Sequence, residues 1–370
     1  MGLWRNRADG TVMLHSRWAG TGRNPGFAGT GPAPPGIVAA VARDAPDPGA
    51  LARVIGRFVG IPVEVGGLRR CSGGASRETW ALDATDRDGR VHPLILRRDP
   101  AGQANADNRA AEFAVLAAAG RAGVPVPRVR ALLEAGDDLG AGFVMDRVEG
   151  ETIPRRILRD DEFAEARDLL TAQAGMTAAR IHAVDPHSLP KLPTLTARDQ
   201  IVQQRDYLDA FGEPHPALEL GLRWLEERAP AERTPPALVH GDFRNGNFIV
   251  GAEGIRAVLD WELAHLGDPI EDLGWLCVKS WRFGNADRVA GGFGDLDDLI
   301  RAYSGAGGVA ADEDTVRFWV VLGTVKWAVI CAGQALVHVN GIVRSVELAA
   351  LGRRVAEMEW DLLDLLDGGW

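Results

Sequence analysis

The block Leu238-Val-His-Gly-Asp-Phe-Arg-Asn-Gly-Asn247 constrains this 370-residue chain more than any other segment. It runs on through Phe-Ile-Val250, then Ala257-Val-Leu-Asp-Trp-Glu262, then Gly267-Asp-Pro-Ile-Glu-Asp272. Asp242 follows a short apolar run and stands in a loop beside Gly241. Asp260 ends a second apolar run, after a turn at Glu253-Gly254. A hairpin built from these two runs would bring Asn247 beside Asp260. One carboxylate and one amide oxygen make a hard-oxygen set suited to Mg2+, which keeps waters and phosphates as its other ligands.

Phosphoryl transfer requires this division of labour. One Asp accepts or orients the acceptor hydroxyl, while a second Asp and an Asn hold the metal that neutralises the phosphates. The Asp242-to-Asn247 spacing equals that of the protein-kinase catalytic loop, with Gly241 where that loop carries Arg. For each residue alone a turn or cap role is the alternative. Asp268 and Asp272 flank a helix start at Pro269 and read as caps. Trp261 and Glu262 stay open between core and substrate contact.

The runs HGDFRNGN, VLDWE and GDPIEDLGWL resemble the aminoglycoside phosphotransferase family, the small-molecule branch of the protein-kinase-like fold. The stretch LDWELAHLGDPIEDLGWLC is most similar to the branch associated with acyl-CoA dehydrogenases. The resemblance covers roughly residues 60–340. It implies an α+β, two-lobed fold: a small antiparallel β lobe with one main helix, and a larger, mostly helical lobe. It also implies an ATP- and Mg2+-dependent kinase of a small-molecule hydroxyl. By this resemblance Asp242 is the catalytic base, His240 supports its loop, and Asn247 and Asp260 are the metal ligands.

The nucleotide side is expected in the first half. Ser72, Gly73 and Gly74 open a glycine-containing turn between two predicted strands. Read alone it is a hairpin turn or a phosphate cradle, since glycines let backbone N–H groups approach phosphates closely. The resemblance makes it the phosphate loop. It also places Arg97, on the strand Leu94-Ile-Leu-Arg-Arg98, where such kinases carry a Lys paired with a helical Glu, here Glu112. Arg presents a rigid fork of donors to phosphate and stays charged. Arg98 is the neighbouring candidate, although strand alternation turns it the other way. Backbone groups from Met145 to Arg147 are expected to meet the adenine at the hinge between lobes.

Residues 1–36 read as a flexible extension, with Gly and Pro at 12 of the 36 positions. Residues 50–148 read as the nucleotide-binding lobe and 149–370 as the helical catalytic and substrate lobe. Helical spacing predicts helices near 50–60, 108–120, 163–182, 201–211, 218–228, 293–303, 312–339 and 344–366. Strands are expected at 61–68, 79–83, 94–97, 128–133 and 142–148, and a non-helical block at 236–275.

The net charge of -10 argues against nucleic-acid binding, which needs a basic face. Cys71, Cys277 and Cys331 are far apart and odd in number, which points to a reducing, cytoplasmic setting without disulfides or structural zinc. The apolar run Phe318–Val339 is long enough to span a bilayer, but Lys326 near its middle costs about 3 kcal/mol on insertion scales. A buried core helix is the preferred reading, with no membrane partner. Trp281, Arg282, Trp319, Lys326 and Trp327 are candidates for the acceptor pocket. Lys326 either pairs with an acidic core residue or faces the cleft. Without a dense acidic cluster for a polycation, a hydroxyacyl thioester or another metabolite alcohol is the expected acceptor. An antibiotic kinase and a catalytically weak nucleotide-binding scaffold, suggested by Arg97, are the alternatives.

Overall fold

A five-stranded antiparallel sheet with one helix on each face forms the N-terminal lobe. The structure is a computed structural model and describes residues 2–6, 11–15, 45–71, 78–99 and 106–370. Strands β1 (Gly2–Asn6) and β2 (Thr11–His15) pair as a separate antiparallel ribbon. Both strands lie within the extension expected over residues 1–36. Thr11, Val12 and Trp4 are strand formers whose signal the flanking Gly and Pro masked. The rest of 1–36 lies outside the described residues.

Helix α1 (Pro48–Val59) starts where Asp47 accepts from the Ala50 N–H at 2.8 Å and ends at Gly60, whose φ is +86°. The sheet then follows as β3 (Val63–Arg70), β4 (Glu78–Asp86) and β5 (Val91–Arg98). Helix α2 (Ala106–Arg121) intervenes before β6 (Val129–Leu132) and β7 (Gly142–Asp146). The strand order is β3-β4-β5-β7-β6. Leu94 and Leu96 of β5 belong to the core shared with Leu51, Val54 and Ile55 of α1. Alternation therefore sends Ile95 and Arg97 to the opposite face, where α2 lies.

The C-terminal lobe begins with α3 (Pro154–Arg159) and α4 (Ala164–His182), followed by α5 (Ala197–Phe211) and α6 (Pro216–Arg228). Four short strands come next: β8 (Ala237–Val239), β9 (Phe248–Gly251), β10 (Gly254–Val258) and β11 (His265–Gly267). β9 pairs with β10, and β8 with β11. Helix α7 (Ile270–Cys277) begins inside the block expected to be non-helical. Helices α8 (Leu296–Gly305), α9 (Glu313–Val339), α10 (Val346–Arg353) and α11 (Val355–Leu366) complete the fold. The single helix expected over 344–366 is thus divided at Arg354.

Helix α9 is the hub on which α5, α6, α7, α10 and α11 pack. It is long and apolar enough to cross a membrane, yet 78% of its most apolar window is buried inside the fold. The lobes meet where Val258 N donates to Pro125 O at 2.8 Å, and just past the hinge Glu151 forms a β-bridge with Val250.

Candidate active site

Strand β8 delivers the chain into a buried loop at His240. Gly241 follows with φ +81°, a left-handed conformation that suits glycine. A Cβ there would lie 2.6 Å from Leu263 O, so the position lacks room as well. The turn directs Asp242, only 2% exposed, into a ring of donors. Oδ1 accepts from Trp275 Nε1 at 2.7 Å and Arg244 Nε at 3.0 Å. Oδ2 accepts from Asn247 Nδ2 at 2.7 Å.

Asn247 Nδ2 also donates to Asp242 O at 2.9 Å. Two acceptors on one side fix the amide orientation, so its oxygen is the atom available to a cation. Leu259 N donates to Asn247 O at 2.8 Å, which sets Asp260 beside the loop. The β9–β10 hairpin thus brings together the two residues that the sequence predicted it would. Asp260 itself has φ +62°.

His240 is fully buried. Its Nδ1 accepts from Asp242 N at 3.1 Å, so Nε2 carries the proton and donates to Leu259 O at 2.9 Å. Burial lowers its pKa, keeping it neutral and holding that tautomer. These two bonds tie the Asp242 backbone to that of Leu259.

Asp272 is not the cap expected from sequence. It lies within α7 and is fully buried. Its carboxylate accepts from His240 N at 2.8 Å and Gly241 N at 3.0 Å. His182 Nε2 reaches it at 3.1 Å, and His182 Nδ1 is 2.9 Å from Tyr303 Oη. Burial acts to raise the Asp272 carboxyl, but His182 and the loop amides outweigh it and hold the group below the usual range. A buried carboxylate needs such donors, and here they include the backbone of the His240–Asp242 loop. Asp268 lies one residue before the N-cap Pro269, and its Oδ1 accepts from Ile270 N at 3.0 Å.

Arg97 sits among three carboxylates. Nε lies 3.1 Å from Glu112 Oε1, Nη1 2.5 Å from Asp260 Oδ1, and Nη2 3.2 Å from Glu262 Oε2. Although burial opposes its charge, Glu112 and Asp260, with Asp99 further off, raise its pKa. The expected Arg97–Glu112 pair is present, and Glu262 joins it rather than the core. Arg98 points the other way, with Nε 2.8 Å from Glu78 Oε2. Ser72, Gly73 and Gly74 lie outside the described residues. Met145 is buried within β7, paired with both Ile95 and Val129. The N–H groups of Asp146 and Arg147 donate to Arg128 O at 2.9 Å and Pro93 O at 3.0 Å. These two amides are therefore engaged, which narrows the expected adenine contact to other groups of the hinge.

Of the five acceptor-pocket candidates, Trp281, Arg282, Trp319 and Trp327 are buried core residues. Trp281 stacks under Arg244, whose Cζ is 4.2 Å from the ring centroid. Lys326 instead lines a cavity and lies 3.6 Å from Glu271 Oε1. The roles of Arg244 and Trp275 as partners of Asp242 had no separate signal in the sequence. Arg244 lay inside the recognised block, and Trp275 follows Asp272 by three residues.

Residues 67–318 match the family model of the phosphotransferase enzyme family. The chain is 28% identical over 322 residues to acyl-CoA dehydrogenase family member 10 of Mus musculus, covering 78% of this chain and 28% of that protein. It therefore spans little more than a quarter of that relative. Among solved structures, a protein described as an aminoglycoside phosphotransferase from Ralstonia eutropha superimposes with a TM-score of 0.67 at 23% identity, covering 85% of this chain and 98% of that one. Spectinomycin phosphotransferase, solved with ADP and spectinomycin, gives 0.60 at 12% identity, over 85% and 97% of the two chains. With the two-lobed fold, the buried loop and a family match over more than half its length, the chain belongs to the phosphotransferase enzyme family, APH.

Proposed function

We propose that this chain transfers the γ-phosphoryl group of ATP to a hydroxyl of a small molecule. The observation that carries the reading is the junction of Asp242, Asn247 and Asp260. A buried carboxylate is aimed by three donors, Asn247 is held against it through Nδ2, and Asp260 follows the residue whose N–H bonds Asn247 O, its own carboxylate meeting Arg97. That donor set fits Mg2+, which prefers hard oxygen ligands. Bound there, the ion would neutralise charge on the phosphates.

The chain's own residues do the remaining work. Asp242 orients the acceptor hydroxyl and takes its proton as the new oxygen–phosphorus bond forms and the bond from the γ-phosphorus to the β–γ bridging oxygen breaks, ADP leaving. Trp275, Arg244 and Asn247 hold its carboxylate in place. Neutral His240 and Asp272 fix the loop backbone beneath it. Arg97 places a permanent cation beside the phosphate position, between Glu112 and Asp260. The turn from Ser72 to Gly74 covers the phosphates, and the hinge from Met145 to Arg147 borders the adenine.

For the acceptor we favour a hydroxyacyl thioester or a related anionic metabolite alcohol. Support comes from similarity to an acyl-CoA dehydrogenase family protein and from Lys326, whose Nζ is 4.9 Å from the ring of Trp275, the residue that bonds Asp242. Antibiotic acceptors named for neighbours under 25% identical carry less weight, because that likeness shows the fold alone. The test is turnover with Mg-ATP across 3- and 4-hydroxyacyl-CoA thioesters, simple hydroxy acids and aminoglycosides, read by product mass. Phosphorylated thioester is the expected result. Exclusive phosphorylation of an aminoglycoside would overturn the acceptor assignment. No product with any acceptor, alongside intact ATP binding, would favour a nucleotide-binding scaffold.

A further inference from the structure

Asp272 holds the loop beneath Asp242 with both of its oxygens, Oδ2 on His240 N and Oδ1 on Gly241 N. The carboxylate is fully buried, and such a group keeps its pose only while its lone pairs meet donors. Among the described residues, the side chain that supplies a further donor is His182, the last residue of α4. Its Nε2 lies 3.1 Å from Asp272 Oδ2.

A neutral imidazole has two forms, and only one serves here. With its proton on Nε2, His182 donates to Asp272. With its proton on Nδ1, it turns a lone pair toward the carboxylate. The form adopted is set by what the other nitrogen meets. Nδ1 of His182 is 2.9 Å from the hydroxyl of Tyr303 on α8. The two rings meet edge to face, with centroids 5.5 Å apart.

Tyr303 is fully buried, and burial pushes its phenol pKa up, so the hydroxyl keeps its proton. A buried hydroxyl needs an acceptor. The Val309 N–H already points at the phenol oxygen. The oxygen receives there, and its own proton goes to Nδ1 of His182. The turn between α8 and α9 is folded onto this ring. Gly308 N donates to Tyr303 O at 3.0 Å, and a Cβ on Gly308 would stand 2.5 Å from Tyr303 Cε1.

We propose that Tyr303 is a positioning residue for the Asp242 loop: its hydroxyl donates to His182 Nδ1, which leaves the ring proton on Nε2 for Asp272 and so holds the His240–Gly241 backbone in place. A line of hydrogen bonds runs from the Val309 amide through Tyr303 and His182 to Asp272, each donor pointing toward the carboxylate. It joins the turn before α9 to the loop that carries Asp242. Tyr303 acts through this line rather than on a substrate. The effect on turnover rests on the phosphotransfer reading above, whereas the hold on the loop does not need it.

The experiment reads the full chain by nitrogen NMR of the histidine rings, by amide hydrogen exchange and by turnover. In the parent, His182 is expected in the form protonated on Nε2 alone. Tyr303→Phe keeps the ring and removes the hydroxyl. It should leave His182 in mixed ring forms, while amides of α9 exchange as in the parent. Exchange at His240 and Gly241 should quicken about tenfold, the equivalent of one hydrogen bond to a charged group. The kcat should fall several-fold with KM for ATP unchanged. His182→Gln, whose amide still donates to Asp272, should protect those two amides better than His182→Met. The proposal is overturned if the parent's His182 carries a proton on Nδ1, a measurement that needs no variant to fold. It is also overturned if Tyr303→Phe leaves both amides, or the kcat of an active parent, unchanged. A parent that phosphorylates no acceptor would instead sink the phosphotransfer reading, and the ring and amide readouts would still decide this one.

Discussion

Arg97 on β5 and Asp260 after β10, separated by 163 residues, meet at 2.5 Å and tie the N-terminal sheet to the catalytic block. Glu112 and Glu262 close the same guanidinium from two other sides. Removing one partner from a buried ion cluster costs more than the cluster contributes, because the remaining charges are left unpaired. Arg97→Met is therefore expected to lower unfolding free energy by about 3–5 kcal/mol in urea at neutral pH. Arg97→Lys keeps the charge but loses the fork, and should fall between the two. A loss in Arg97→Met within about 0.5 kcal/mol, the range of ordinary surface changes, would contradict the account.

Trp275→Phe isolates one hydrogen bond to Asp242. An aromatic ring is kept, smaller by three ring atoms, while the 2.7 Å Nε1 contact disappears. Arg244 and Asn247 still hold the carboxylate. Turnover should fall about tenfold, the equivalent of one hydrogen bond to a charged group, with KM for ATP unchanged. An unchanged kcat would remove Trp275 from the positioning of Asp242.

Gly241→Ala probes the loop backbone. The added Cβ meets Leu263 O at a φ of +81°. Expected destabilisation is at least 1–3 kcal/mol on the scale of backbone strain, about what thermal unfolding resolves. A variant as stable as the parent would mean that the loop can relax away from Leu263.

The two buried histidines respond to pH with opposite signs. Burial lowers the pKa of His240, so below about pH 6.5 the unfolded chain takes a proton that the folded chain refuses. Its contribution to stability falls as pH drops. For His265 burial acts to lower the pKa, but Glu271 outweighs it and the pKa is raised. That contribution is fully present below about pH 6.5 and is lost as pH rises through the folded value. In His265→Gln only the His240 effect remains. Urea midpoints measured from pH 7.5 to 5.5 should then decline more steeply than in the parent. A shallower decline would reverse the assignment.

The arrangement of the Asp242 loop was legible because its residues are close in sequence. Asp242 and Asn247 lie in one loop, and a single hairpin turn separates Asn247 from Asp260. Arg97 was legible through strand alternation, which sends it and Arg98 to opposite faces. Asp272 was misread because an Asp near Pro269 has the local pattern of a cap. Its true partners, His240 and Gly241, lie more than 30 residues upstream. Glu262 was unreadable for the same reason, since its partner is on a strand in the other lobe. Trp281, Trp319 and Trp327 show the limit of composition: large aromatics fill a core as readily as they line a pocket.

The central claim is that Asp242 is the base of a phosphoryl transfer. Its most direct test compares the parent and Asp242→Asn for transfer from Mg-ATP to the best acceptor, alongside Mg-ATP binding and melting temperature. The account predicts a hundred- to ten-thousandfold loss of kcat, about the contribution of a general base, with nucleotide binding and fold retained. Turnover within twofold of the parent would contradict it.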